Sequence, residues 1–295
     1  MPVIGDRPEL DINSIVYATD FSLFSQNAGL YAARMAAYFS AKLLVAHGFT
    51  LSQAAMEVEV DPSLISQQRR DLQFLLSGKA KGLAAPAVEA VPMLLEGDPS
   101  EVIPRLADEN AASLIVLGTH GGSWVERELI GSVAERILRS TRWPSLTVGP
   151  QVPSANSMTF PFERILFATD FTPAAAHVTP YAVAFAEAFG ANIDVLNVIP
   201  AEAIEHPDRL AELRKHFYAA LDDLVSQQAR EFCDPRTFVE VGRAHERILE
   251  HIRERSIDLL VLAIRTRSHL GLEMRTSGTF QLILDAPCPV LTIKG

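Results

Sequence analysis

Residues 114–121, LIVLGTHG, and residues 130–133, IGSV, decide how the chain is read. A short apolar run ends at Gly118, further glycines stand at Gly121 and Gly131, and a serine then opens an amphipathic segment. This pattern predicts a buried strand, a loop and the start of a helix. Such a junction presents free backbone N–H groups and the positive end of a helix dipole, and both features suit a phosphate.

The same order of elements occurs twice along the chain. An apolar run ending at Asp20 corresponds to one ending at Asp170, which lies 150 residues later. Further along, Gly97 corresponds to Gly242, and the separation has fallen to 145 residues. The second copy is therefore five residues shorter between its second strand and Gly242. A repeat close to half the chain length indicates two copies of one domain.

Each copy alternates short apolar runs with helical patterns. This alternation predicts an α/β fold of two tandem Rossmann-like domains, each a five-stranded, mostly parallel sheet with helices on both faces. Proline, serine and asparagine cluster in residues 150–157 and predict a linker there. We therefore predict domains at residues 1–150 and 158–295.

The composition excludes several classes of protein. The chain of 295 residues is 48% hydrophobic and 21% charged, which is ordinary for a protein with a buried core. It has no run of roughly 18 apolar residues and no signal-peptide pattern, so a cytoplasmic location is expected. The net charge of −10 argues against binding nucleic acid or an anionic membrane, because like charges repel. The two cysteines are too few for a disulfide framework.

The residues of the opening stretch have separate expected roles. We expect Gly118 to let the chain turn sharply after its strand, Gly121 to let backbone approach a ligand, and Gly131 to expose the N–H groups of a helix start. Ser132 can donate to a phosphate oxygen. It can also cap the helix in a capping box with Glu135, and the two roles are compatible because a cap uses only a lone pair.

The full arrangement resembles the universal stress protein family. Nucleotide-binding members of that family carry Gly-x2-Gly-x9-Gly-Ser/Thr after the fourth strand, and this chain has that pattern at Gly118, Gly121, Gly131 and Ser132. The family's first strand ends in an acidic residue, which Asp20 matches. The resemblance covers nearly the whole chain as two tandem domains, and the complete motif occurs once.

The resemblance implies that the first domain binds ATP or another adenine nucleotide, alone or with Mg²⁺. The glycine-rich loop and the helix start would hold the phosphates, and the end of the first strand would surround the nucleoside. Val45 could belong to that surround, although a core position is favoured, and His120 could touch phosphate, although an exposed loop position is favoured. The implied binding residues are Ala18, Thr19, Asp20, Val45, Gly118, Thr119, His120, Gly121, Gly131, Ser132 and Val133.

The second copy departs from the motif. Ala263, Thr266 and Thr276 replace the three glycines, while the serine is retained as Ser277. Because the glycines are lost where the strand and the serine persist, we expect them to serve a ligand and not the fold. The second domain is then predicted to bind no nucleotide or a different ligand. Several basic residues within 265–275 suggest either a site for another anion or a solvated loop, of which the loop is favoured.

No catalytic motif accompanies the phosphate pattern. A P-loop, a dinucleotide fingerprint, a nucleophile elbow and a His-Glu-x-x-His helix are all absent from the sequence. The leading hypothesis is therefore a nucleotide-binding regulatory protein of the stress response. The alternatives are a tandem-domain scaffold with structural or no nucleotide, and a weak ATPase limited to slow hydrolysis or self-phosphorylation. The resemblance also implies pairing of the last strands, residues 145–148 and 289–293, within the chain, a possible homodimer and an unknown regulatory protein partner.

Overall fold

The computed structural model describes residues 10–50, 62–119, 130–203, 207–224, 235–264 and 278–295. The chain divides into two compact units. The first unit comprises Asp11–Val148 with Ser154–Asn156, and the second is built on Gly149–Pro153 and Ser157–Gly295. None of the helices in these ranges combines the length and the apolar character needed to cross a membrane.

The first unit alternates strands and helices along the chain. Its described strands lie in the order β3-β2-β1-β4-β5, and each neighbouring pair is parallel. The α/β fold with a mostly parallel sheet is therefore confirmed. The elements are β1 (Ser14–Ala18), α1 (Leu23–Phe39), β2 (Lys42–Phe49), α2 (Pro62–Leu83), β3 (Ala90–Glu96), α3 (Pro99–Glu109), β4 (Leu114–Gly118), α4 (Ser132–Ser140) and β5 (Ser145–Val148).

The second unit repeats this order of elements. Its described strands lie in the order β8-β7-β6-β9-β10, again with parallel neighbours. The elements are β6 (Arg164–Ala168), α5 (Pro173–Phe189), β7 (Asn192–Ile199), α6 (Pro207–Leu224), β8 (Pro235–Val241), α7 (Ala244–Arg255), β9 (Leu259–Ile264), α8 (Gly278–Asp285) and β10 (Val290–Lys294).

Local sequence signals explain how α1 and α5 begin. Ser22 precedes α1 and its side chain accepts a hydrogen bond from the Ser25 amide, while Thr172 precedes α5 and accepts from the Ala175 amide. Each hydroxyl oxygen thus satisfies one of the amides that a helix start leaves without a partner. Serine and threonine are among the residue types preferred directly before the first helical residue. The two caps fix where each helix leaves the carboxyl end of the central strand.

The length difference between the copies falls in one connection. The strands β2 and β7 end at Phe49 and Ile199, which are 150 residues apart, whereas α2 and α6 begin at Pro62 and Pro207, which are 145 apart. The five missing residues therefore lie between the second strand and the following helix. Equivalent positions after that helix start are related by 145 throughout.

The start of the second unit's central strand is tied by one carboxylate. Asp258, just before β9, accepts hydrogen bonds from the amides of Glu163 at 2.7 Å and Arg164 at 3.0 Å. The amide of Asp258 in turn donates to the Arg164 carbonyl oxygen at 3.0 Å. The side chain of Asp258 therefore accepts hydrogen bonds from two amides at the start of β6.

Replacing Asp258 with alanine removes both acceptors. We expect the free energy of unfolding of the second unit to fall by about 2 kcal/mol, because hydrogen bonds to a charged group are stronger than neutral ones and the amides lose their partner. Urea unfolding of the full chain measures the change. The control is Glu254→Ala on the exposed face of α7, and equal losses in the two variants would contradict the role of Asp258.

Candidate functional site

The carboxyl end of β1 is organised around Thr19. Its amide donates to the Ala46 carbonyl oxygen at 2.9 Å, and its hydroxyl lies 3.0 Å from the Ser25 hydroxyl of α1. The same hydroxyl accepts from the Phe21 amide at 3.1 Å. Thr19 is buried, so its side chain is used to join the strand end to α1 and to shape the turn that follows.

Asp20 stands exposed on that turn. Its Oδ1 atom accepts from the Ser22 amide at 3.0 Å, and Phe21 between them has a left-handed φ of 64°. Among the residues that the structure describes, Oδ2 of Asp20 makes no hydrogen bond. One carboxylate oxygen can therefore accept a hydrogen bond from a ligand hydroxyl without breaking the turn.

His47, near the end of β2, contacts the turn that follows β1. Its Nδ1 atom lies 2.7 Å from the Thr19 carbonyl oxygen, so Nδ1 carries the proton and donates. Its ring also contacts the Phe21 ring, with 4.5 Å between the centroids. The sequence reasoning did not select His47. The signal available was its position at the carboxyl end of a strand next to β1.

Lys79 of α2 is a second contributor that the sequence reasoning missed. Its Nζ atom lies 6.0 Å from the centroid of the Tyr17 ring. Burial lowers the pKa of Lys79, and the charge of Asp20 acts in the opposite direction. Tyr17 is itself fixed, because its hydroxyl donates to the Ser25 carbonyl oxygen at 2.5 Å. Lys79 therefore brings a positive charge to the side of the unit that carries Asp20.

Gly118 has a structural reason that the sequence did not suggest. It is the last residue of β4, pairs with Val148 and lacks a positive φ, so its own backbone conformation does not require a glycine. The expected turn after the strand lies outside the described residues. A Cβ atom there would lie 3.2 Å from the Phe24 carbonyl oxygen and 3.3 Å from the Ser25 Cα atom. The absence of a side chain lets the first turn of α1 approach the strand.

This close approach weakens one argument made from the repeat. Ala263, the counterpart of Gly118, lies inside β9 and pairs with Ile293. Since Gly118 packs against backbone, its loss in the second copy does not by itself point to a ligand. Whether the fold of the first unit needs this glycine therefore depends on whether the backbone of α1 can move by a few tenths of an ångström.

The start of α4 differs from the expected capping box. The N-cap is Gly131, not Ser132, and no side chain caps the helix. The Gly131 amide donates to the Thr119 carbonyl oxygen at 2.8 Å, and its carbonyl oxygen accepts from the Glu135 amide at 2.9 Å. The hydrogen bond from Gly131 to Thr119 thus closes the loop between β4 and α4. Serine is displaced to the first helical position.

The first turn of α4 keeps the features that suit an anion. The amides of Ser132, Val133 and Ala134 have no acceptor within the helix, because they precede the first backbone hydrogen bond. Ser132 is exposed, and its hydroxyl makes no hydrogen bond to the described part of the chain. With respect to the described residues, three amides and one hydroxyl are therefore available at the positive end of the helix dipole.

An ion pair joins the starts of α3 and α4. The Arg136 guanidinium lies 2.9 Å from Oδ2 of Asp98, and its Nε atom lies 3.4 Å from the Ser132 carbonyl oxygen. Asp98 caps α3 by accepting from Ser100, and these hydrogen bonds, followed by the charge of Arg136, lower the pKa of Asp98. A cation therefore lies within one turn of the free amides.

The remaining predicted residues divide into three groups. Ala18 ends β1 beside β4 and so borders the site. Val45 has no exposed surface inside β2, in agreement with the core interpretation, and Thr119 is also buried. The Val45 side chain is therefore not part of the proposed binding surface. His120 and Gly121 lie outside the described residues.

The second unit has the same turn after its first strand, but an aromatic side chain of α6 packs beside it. Asn197, the counterpart of His47, donates from Nδ2 to the Thr169 carbonyl oxygen at 2.9 Å. Phe171 has a φ of 57° and stacks on Phe217 of α6, with 5.4 Å between centroids and 16° between planes. The ring face of Phe171 is thus covered. Thr266, Thr276 and Ser277 lie outside the described residues.

No metal cluster accompanies either turn within these ranges. The described residues contain no group of three or more His, Cys, Asp or Glu side chains that could hold a metal ion. The groups described at the carboxyl end of the first unit's strands are the amides of α4, a carboxylate oxygen, an imidazole and two cations.

Comparison with known proteins identifies relatives of both halves. The model of the universal stress protein family matches residues 12–149 and 161–294. Universal stress protein MJ0531 of Methanocaldococcus jannaschii is 33% identical over 136 residues, which are 45% of this chain and 80% of that protein. Universal stress protein E of Escherichia coli K12 is 33% identical over 109 residues, 37% of this chain and 34% of that protein. A universal stress protein structure from Archaeoglobus fulgidus covers 97% of each chain with a TM-score of 0.72 and 22% identity.

His47→Leu tests the support of the turn. The variant leaves the buried Thr19 carbonyl without its donor, so we expect the free energy of unfolding to fall by about 2 kcal/mol. His47→Asn installs the residue that the second unit uses and should retain the hydrogen bond. Urea unfolding of both variants measures the difference, and equal losses would show that the hydrogen bond is not what His47 contributes.

Gly118→Val tests the packing of β4 against α1. The added side chain meets the backbone of α1, so we expect a loss of about 2 kcal/mol of unfolding free energy even without a ligand, as in other overpacked sites. The reverse change in the second unit, Ala263→Gly, should cost less than about 1 kcal/mol. Thermal and urea unfolding measure both, and an unchanged Gly118→Val stability would refute the packing role.

Proposed function

The chain belongs to the universal stress protein family, and from this premise we propose that its first unit binds an adenine nucleotide. ATP, alone or with Mg²⁺, is the first candidate, and the protein acts as a nucleotide-dependent regulator of the stress response. The observation that carries the proposal is the free first turn of α4, which stands in the same unit as the available oxygen of Asp20.

The proposed binding mode assigns each part of the nucleotide to a part of this edge. The amides that follow Gly131, with the Ser132 hydroxyl, bind phosphate oxygens, because they are donors at the positive end of a helix. The free Oδ2 of Asp20 accepts from a ribose hydroxyl. His120 and Gly121 remain proposed members of the phosphate loop on the strength of the motif.

Two cations support a polyphosphate at this edge. Lys79 stands on the side of Asp20, and Arg136 lies next to the first turn of α4. Asp98 neutralises part of the charge of Arg136, so the pair adds little net positive charge. Its main effect is to hold the start of α4 against the start of α3. At the counterparts of Asp98 and Arg136, the second unit has Arg243 and Gln281, so it lacks this pair.

We propose an asymmetric protein in which the second domain, residues 158–295, does not bind the same nucleotide. The stack of Phe171 on Phe217 supports this, because it covers one face of the Phe171 ring. The equivalent ring of the first unit, Phe21, contacts His47 instead. The domain bounds, the cytoplasmic location and a homodimer remain parts of the proposal. No residue is assigned a catalytic role.

A scaffold function is the second candidate. It is favoured by large apolar side chains that α2 exposes, including Leu64, Phe74 and Leu75. Exposed apolar residues on one helix are a common feature of protein interaction surfaces. Under this alternative the nucleotide is structural or absent, so the response to nucleotide separates the two functions.

Thermal unfolding with ATP, ADP, AMP or cyclic AMP tests the proposal. We expect ATP to stabilise the full chain by about 2.7 kcal/mol at a concentration one hundred times its Kd, since a ligand that binds only the folded state stabilises it by mass action. Gly131→Val should abolish the shift, because the side chain obstructs the amides of the first turn. Gly131 has a φ of −58°, so its backbone conformation admits a side chain.

The matched control is Thr276→Val, at the position of Gly131 in the second copy. It should leave the ATP shift unchanged. The absence of a shift with all four nucleotides would favour the scaffold, and equal effects of the two substitutions would contradict the asymmetry.

A further inference from the structure

The second unit brings four charged side chains together between β7, β8 and α7, and two of them are buried. Asp194 is the third residue of β7, Glu240 is near the end of β8, and His251 and Arg255 lie on α7. Asp194 and His251 are buried, with relative exposures of 5% and 3%. We call these four residues the charge cluster.

The geometry of the charge cluster determines its protonation. His251 Nδ1 lies 2.9 Å from Oε1 of Glu240, and its Nε2 lies 3.1 Å from Oδ2 of Asp194. Arg255 Nε donates to the same Asp194 oxygen at 3.0 Å. An ionised carboxylate only accepts hydrogen bonds, so when Asp194 and Glu240 are both ionised the two ring nitrogens donate and His251 is an imidazolium. Two positive and two negative groups then balance.

Aromatic contacts complete the packing around His251. The Phe238 ring of β8 lies 4.7 Å from the His251 ring, measured between centroids, and the Arg255 guanidinium stands 4.9 Å from the centroid of Phe238. Two further charges belong to elements that pack with α7. Exposed Arg236 of β8 is the register partner of Asp194, whereas Asp285 of α8 contacts His245 at the other end of α7.

The first unit shows that the fold does not require these charges. Leu44, Leu95 and Leu106 stand at the positions of Asp194, Glu240 and His251, and Asn110 stands at the position of Arg255. Leu44 and Leu106 are buried in that unit. The same strand and helix are thus packed by apolar contacts in one copy and by ionised groups in the other. A buried ion network is seldom more stabilising than apolar packing, so stability alone does not explain it.

We propose that the charge cluster is a pH-dependent lock that holds α7 against β7 and β8 while His251 is protonated. Loss of the proton leaves one ring nitrogen as an acceptor that faces a carboxylate about 3 Å away. The cluster then carries a net negative charge in a buried place. Because an unpaired buried charge is unfavourable, α7 separates more readily from the two strands.

The pKa shifts define the range over which the lock holds. Burial lowers the pKa of His251, but the hydrogen bonds and charges of Asp194 and Glu240 outweigh it and raise the pKa above its ordinary 6.5. The contribution of His251 is therefore complete below pH 6.5 and is lost as the pH rises through the raised value. Burial raises the pKa of Asp194, but His251 and Arg255 lower it below 3.8. Its contribution is complete above pH 3.8 and is lost as the pH falls through the lowered value.

The charge state of His251 is the first test. Nitrogen-15 spectra of the histidine rings of the full chain, with His251 assigned by its loss in His251→Gln, report protonation directly. We expect a titration midpoint above 6.5, and a lower midpoint in Glu240→Gln, which keeps the size of the side chain and removes its charge. A midpoint at or below 6.5, or one that Glu240→Gln leaves unchanged, overturns the proposal. His245, also on α7, serves as the control and should be unaffected by Glu240→Gln.

Hydrogen exchange of α7 is the second test. We expect its protection, corrected for intrinsic rates, to fall tenfold per pH unit between 6.5 and the His251 midpoint, because one proton is released when α7 opens. The matched variant carries the first unit's residues, Asp194→Leu, Glu240→Leu, His251→Leu and Arg255→Asn. Its α7 should show no such dependence, with α3 of the same chain as the internal reference. A wild-type profile without that dependence would overturn the lock even where the fourfold variant does not fold.

Discussion

The hydrogen bond that closes the turn after the first strand determines what the rest of each unit can present. In the first unit His47 donates to the Thr19 carbonyl oxygen, and in the second Asn197 donates to that of Thr169. A backbone carbonyl in a buried place needs a donor, and the ladder between the two strands has ended at this point. With the turn fixed, Asp20 is held at the sheet edge and α1 begins at a fixed angle.

The sequence predicted the fold because the signals of the fold are local and repeated. Apolar runs separated by helical patterns predict strands and helices from neighbouring residues alone, and the caps at Ser22 and Thr172 are recognised from one residue and its position. The repeat added independent support, since each element was seen twice. The family model matches each of the two repeated segments, residues 12–149 and 161–294.

The candidate site was predicted less completely because its geometry depends on contacts distant in sequence. His47 and Lys79 reach the turn at Asp20 from a neighbouring strand and from another helix, and no spacing rule connects them. The packing of Gly118 against Phe24 joins residues that are 94 positions apart. At α4, Gly131 and Ser132 are both acceptable N-caps, and the long-range hydrogen bond from Gly131 to Thr119 selects the glycine.

The two copies of one fold provide an internal control for deciding which side chains serve another purpose. The fold does not require a particular side chain where the equivalent position of the other copy holds a chemically different one in the same strand or helix. Asp194 and Leu44 are one such pair, and His251 and Leu106 are another. Gly118 shows the limit of this rule, because the missing side chain admits the backbone of α1 and its counterpart Ala263 stands in a longer strand. Differences between copies therefore indicate function only after the local packing has been compared. By that criterion the charge cluster is a stronger candidate for a specific role than the loss of Gly118.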